Sequence, residues 1–150
     1  MKNKHKTLAA LAIIGLVATT AVAEQKLKMS ELPAAVQATV KTETANATVL
    51  GISKETDKGN TVFEVETRVG TKTRDFVVDA AGKVIQVEEE TDLASVPAAV
   101  KATIDKQSAG GTVTRIEKAT QGTTVSYEVG LKKNGKNSEF TVNADGSLHK

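Results

Sequence analysis

The 150-residue chain has no cysteine and no tryptophan, and it contains only two prolines and two histidines. Without thiols no disulfide can form, and zinc or copper sites built from thiolate and imidazole lose their usual ligands. A Ser–His–Asp arrangement needs a buried, oriented imidazole. His5 lies among the first residues, ahead of an apolar run, and His149 is the penultimate residue, where a solvated side chain is expected. The sequence therefore assigns no catalytic residue, no cofactor and no metal ligand. Aromatic residues are equally scarce: Phe63, Phe76, Tyr127 and Phe140 are the full set. That is few for a surface that binds through exposed aromatic anchors.

A long apolar run is also missing. Leu8 to Val17 is too short to span a bilayer as a helix. It follows Lys2, Lys4 and Lys6 and precedes Ala21-Val22-Ala23, the basic, apolar and small-residue order of a secretory signal. Residues 1–23 are read as that signal, with neither a twin arginine before the apolar run nor a cysteine after it to carry a lipid. A periplasmic or secreted location follows, with no membrane insertion after cleavage. The chain also lacks an excess of either charge. Three of its 20 basic residues lie in the signal, which leaves 17 against 18 acidic residues and a net charge of −1. Nothing in that balance favours nucleic acid as a partner. The remaining chain of about 127 residues can fold as one body by packing alone, whereas half of it would be marginal. The two halves are expected to share a core or a continuous sheet.

What the chain does contain is the same passage twice. Leu32-Pro33-Ala34-Ala35-Val36 returns as Val96-Pro97-Ala98-Ala99-Val100, and the halves stay in register at a spacing of 64 from Pro33 and Pro97 onward. About a third of the aligned pairs are identical, which marks an internal duplication. Residues 27–90 and 91–150 are its two units, joined through Glu88-Glu89-Glu90-Thr91-Asp92. Each opens with a short helix whose apolar stripe is Leu32, Val36 and Val40, or Val96, Val100 and Ile104. Ser30 and Ser95 are the expected N-caps. Strands follow at Thr48 to Thr56 and Thr112 to Thr120. Next come alternating strands in which Phe63, Val65, Thr67 and Val69, or Tyr127, Val129 and Leu131, form the buried face. Phe76 and Val78, or Phe140 and Val142, point inward from a third strand. A fourth runs from Lys83 to Glu89 and is cut short in the second unit, at Ser147 to Lys150. The predicted class is α+β: two tandem helix–β–β–β(–β) units with an antiparallel sheet and helices on one face.

Three features carry a resemblance to the PepSY-like family. They are the Leu/Val-Pro-Ala-Ala-Val helix openings, the strands Phe63-Glu64-Val65 and Tyr127-Glu128-Val129, and the turns Asp79-Ala80-Ala81-Gly82 and Asn143-Ala144-Asp145-Gly146. In tandem, such domains are similar to the fold of a β-lactamase inhibitor protein. The resemblance implies a non-catalytic binding or inhibitory role outside the cytoplasm, with a peptidase or other envelope enzyme as target.

The residues themselves offer few chemical groupings. Glu64 and Glu66 share a strand face, with Asp75 and Asp79 beside them. Lys72, Arg68 and Arg74 are close in sequence, so the expectation is a wet face tiled with both signs. Glu88 to Glu90 alternate across a strand and do not converge, and Asn143-x-Asp145-Gly146 lacks the further acids of a calcium loop. A plain linker and a plain turn are expected at these two places. A protein-binding surface is placed on the uncovered sheet face, at Glu64, Glu66, Arg68, Asp75, Val77, Glu128, Lys132, Glu139 and Thr141. Val62 and Val77 are apolar at outward positions there. The partner class is a protein or peptide of the cell envelope. The alternatives are a structural envelope-maintenance factor and a weak cation-binding protein. The sequence leaves the oligomeric state open.

Overall fold

In a computed structural model that describes residues 25–149, the strands form before and after each helix as the alternation requires. The order is β1 (Gln25–Lys26), a 3-10 turn (Met29–Glu31), α1 (Ala34–Glu43), β2 (Thr48–Asp57), β3 (Asn60–Val69), β4 (Lys72–Asp79) and β5 (Val84–Glu90). A second 3-10 turn (Leu93–Ser95) then leads to α2 (Ala98–Gln107), β6 (Thr112–Gln121), β7 (Thr124–Lys133) and β8 (Lys136–Asn143). Among the described residues these strands make one antiparallel sheet of eight, arranged in sequence order. The fold is α+β. The export signal read over residues 1–23 lies outside the described residues.

The helix starts differ from expectation. Ser30 and Ser95 lie inside the 3-10 turns, and Pro33 and Pro97 occupy the cap positions with no side-chain cap bond. The reason is steric. A residue before proline is pushed out of the α region, and Leu32 (ψ 151°) and Val96 (ψ 155°) are extended. Neither helix can begin until the proline has passed. The last segment is also reduced: where a short fourth strand was expected in the second half, only an isolated bridge joins Val142 to Leu148.

The apolar side chains gather into two clusters under the single sheet. Val36 and Val40 of α1 pack with Ile52, Phe63, Val65, Phe76 and Val78, while Val100 and Ile104 of α2 pack with Ile116, Tyr127, Val129 and Val142. The register carries one face across both: Phe76 pairs with Val87, Val87 with Thr120, and Thr120 with Val125. The helices therefore lie on the same side. A continuous sheet, rather than a shared core, unites the halves.

Each helix is pinned to the sheet through a turn. Thr39 Oγ1 donates to the Gly82 carbonyl and Thr103 Oγ1 to the Gly146 carbonyl, both at 2.6 Å. Both glycines have φ near +88° (87° and 88°), and a Cβ there would stand 2.8 Å from Ala35 O or from the Ala99 backbone. The Asp79 carboxylate holds the first turn by accepting from the Ala81 and Lys83 N–H groups. Replacing Gly82 or Gly146 with Ala forces strain and separates helix from turn. The expected loss is about 2 kcal/mol, read from the urea midpoint. Gly59→Ala, where nothing lies within 4 Å, serves as the control for φ strain alone and loses less.

Candidate functional site

Alternation along each strand sends every second side chain to the face without helices, and the register sorts these side chains into rows across the sheet. Ser53, Glu64, Val77 and Gln86 form one row; Asp75, Glu88, Ala119, Ser126 and Asn143 form the next. A third contains Glu90, Glu117, Glu128 and Thr141, and an outer one Arg115, Gly130 and Glu139. Small residues alternate with carboxylates, so the acids reach toward one another over Ala119 and Ser126.

No described element overlies this face, yet its middle is buried. Gln86 is 3% exposed, Glu117 2% and Asp75 6%. In a twisted sheet, long side chains from neighbouring strands converge over the centre. Nearly all the charge brought together is negative. Glu88, Glu117 and Glu128 each place a carboxylate oxygen within 4.8 Å of the other two. Arg115 is the nearby cation: Nη2 lies 3.1 Å from Glu117 Oε2 and 3.8 Å from Glu139 Oε1. Thr73 Oγ1 stands 3.3 Å from both Glu90 Oε2 and Glu117 Oε1, and its single proton can serve only one of them at a time.

Desolvation and like charge act together on these acids. Burial, then the Glu128 charge, pushes Glu88 up to about 7. Burial pushes Glu117 to about 7 despite the opposing pull of Arg115. Burial, with Glu117 and Glu139, raises Glu128. Burial and a hydrogen bond shared with Glu55 hold Glu64 well above the ordinary carboxylate range.

All nine residues expected on a binding surface lie on this helix-free face by register, but they are not equally accessible. Arg68, Lys132 and Glu139 are exposed; Glu64, Glu66, Glu128 and Thr141 are half-buried; Asp75 and Val77 are buried. Val62, expected outward, is buried as well. The anticipated mixture of signs is corrected in part: Arg68 stays on the face, at its exposed edge, but Arg74 and Lys72 do not. Arg74 lies on the helix side, 2.7 Å from Glu43 of α1 and over the Phe76 ring, and Lys72 reaches Asp92. Those cations alternate with Asp75 along β4 and so point the other way. Glu88 does meet other acids, from β6 and β7 rather than from its own strand. Sequence reasoning missed Glu117, because its counterpart in the first half is Ser53. A signal existed in the alternation of β6, but its partners were legible only through strand pairing.

The remaining candidates have simpler roles. Asp145 accepts from the Ser147 N–H and hydroxyl, bonds that pull its carboxyl below the ordinary range, and so serves the turn. His149 is not free in solvent: its Nδ1 lies 3.2 Å from Asn143 Oδ1. Among the described residues no helix is long and apolar enough to cross a membrane.

Comparison with known proteins agrees with this architecture. Residues 97–145 match the PepSY family, described as peptidase propeptide and YPEB domain. No curated protein matches the chain. A protein of Bacteroides eggerthii described as periplasmic is similar in structure, with a TM-score of 0.64 at 15% identity over 79% of this chain and 86% of its own. A DUF2874 family protein of Bacteroides uniformis gives 0.62 at 15% identity, covering 79% and 86%. A BLIP-like protein of Bacteroides fragilis gives 0.56 at 18% identity, covering 78% and 82%. The fold is PepSY-like and BLIP-like.

The buried acids make stability depend on pH. Glu88 and Glu117 titrate higher in the folded chain than at their ordinary 4.5, so the folded state holds more protons than the unfolded one. Their contribution is complete below pH 4.5 and is lost as pH rises through about 7. The surroundings are Asp75 on β4, Glu90 on β5, Arg115 on β6, Glu128 on β7 and Glu139 on β8, predominantly anionic and therefore unable to reverse the sign. Calorimetry is expected to show a melting temperature that falls by several degrees from pH 5 to pH 8. Glu117→Gln flattens that slope.

Proposed function

We propose that this is an exported, periplasmic or secreted, non-catalytic binding module built from two tandem PepSY-like units, residues 27–90 and 91–150. It engages a protein or peptide of the cell envelope through the helix-free face of the sheet, and inhibition of a peptidase or other envelope enzyme is the form that binding takes. One observation carries this reading: both helices occupy one side of an unbroken eight-stranded sheet, leaving an opposite side that no described element overlies. Charge specifies the partner further. Carboxylates from seven strands, β2 to β8, face that side, so a partner presenting Lys or Arg is favoured and one presenting acids is repelled. The buried Asp75 and Val77 support the surface from beneath, while Glu139, Thr141, Lys132 and Arg68 offer contact area.

The test is site-specific photo-crosslinking in the native host. A photoreactive residue at Glu139 or Thr141 is expected to capture a defined envelope protein, with capture falling as salt is raised. The same probe at Lys41 or Lys101, exposed on the helices, is expected to capture little. Equal capture from the helix positions overturns the assignment of the face.

A further inference from the structure

We propose that Glu88, Glu117 and Glu128, together with Gln86 and Ser126, form a binding site for a hard divalent cation, Ca²⁺ above all, at the seam where β5 meets β6. The proposal goes beyond the binding reading above and does not depend on a protein partner.

Geometry is the first support. The three carboxylate oxygens lie within 4.8 Å of one another, and Ca²⁺ holds oxygen ligands at about 2.4 Å, so its shell spans about 4.8 Å. Mg²⁺ demands a strict octahedron at about 2.0–2.1 Å and gives up its waters reluctantly, whereas Ca²⁺ accepts irregular sets of about six to eight oxygens, as carboxylates from three different strands would supply. The donors are all oxygen, which disfavours zinc.

The second support is independent of the acids. Gln86 and Ser126 are 3% and 4% exposed, and Gln86 Oε1 and Ser126 Oγ have no hydrogen-bond partner. Buried polar atoms in that condition are rare and costly. Both flank the cluster on this face, each two residues before one of its acids, Glu88 and Glu128. Gln86 Nε2 donates to Glu88 Oε1 at 2.6 Å, which sets the amide end against the cluster. Ser126 precedes Glu128 by two residues on β7 and pairs with Ala119, which in turn pairs with Glu88. Ala119, which stands between them in the row, has no side chain beyond Cβ to separate them. A cation there would neutralise three converging carboxylates that share a single guanidinium, Arg115, which is ion-paired with Glu117, and would occupy the lone pairs of both neutral oxygens. Water completes the six to eight ligands that Ca²⁺ takes.

The probe is CaCl₂ added to the purified full chain at pH 7.5, followed by melting temperature and titration calorimetry. Ca²⁺ is expected to raise the melting temperature by several degrees, with a dissociation constant of about 10⁻⁴–10⁻³ M, as in extracellular modules, and Mg²⁺ to act at least tenfold more weakly. Glu117→Gln and Glu128→Gln remove like charge, so both fold, and both are expected to weaken the Ca²⁺ response at least tenfold. Ser126→Ala, which changes no charge, weakens it several-fold. Glu55→Gln, elsewhere on the same face, leaves it intact. Absence of any response at about 10 mM Ca²⁺, or an equal response in Glu117→Gln and the parent chain, overturns the proposal.

Discussion

The antiparallel pairing of β5 with β6 is the contact on which the molecule depends. Each half buries its own apolar cluster under its own helix, so no shared core holds them in register. What joins them is the ladder in which Val87, Glu88, Glu89 and Glu90 meet Thr120, Ala119, Lys118 and Glu117. Backbone hydrogen bonds set that register to the residue, and a slip of one position would turn every side chain over. With the ladder in place, two small sheets become one of eight strands, and a face that neither half possesses alone comes into being.

That face is electrostatically unfavourable by construction. Removing a carboxylate from water is costly, and placing several together raises the cost. Here burial and mutual repulsion both push Glu88 and Glu117 toward neutral pH, while Arg115 offsets part of the charge at Glu117 and Glu139. Apolar residues of similar size would fill these positions without that cost. Clusters of strongly shifted groups are characteristic of functional surfaces, and this one occupies the side of the sheet that the helices leave uncovered.

Several features were legible because they rest on local physics. The stripe Leu32, Val36, Val40 and its counterpart announced the helices, and the alternation around Phe63 and Tyr127 announced strands with one apolar face. The turns Asp79-Ala80-Ala81-Gly82 and Asn143-Ala144-Asp145-Gly146 were visible as motifs, yet their purpose was not. In the fold they let a helix backbone approach the sheet closely enough for Thr39 and Thr103 to bond to a glycine carbonyl. The capping serines failed because proline sterics outrank a favourable cap residue: with Leu32 and Val96 held extended, a serine upstream has no helix end to cap.

The sequence alone determined the elements, their order and the identity of the inward face, because periodicity, proline position and turn residues act over a few neighbours. It also contained every carboxylate of the sheet face, but as scattered residues among nearby lysines and arginines. Only the tertiary structure decided that Arg74 and Lys72 turn away from that face and that Glu88 meets Glu117 and Glu128 across two strand pairings. The physical reason is that strand register is a long-range property: it arises from hydrogen bonds between segments distant in the chain, and no local pattern within either segment specifies which residue will stand opposite which.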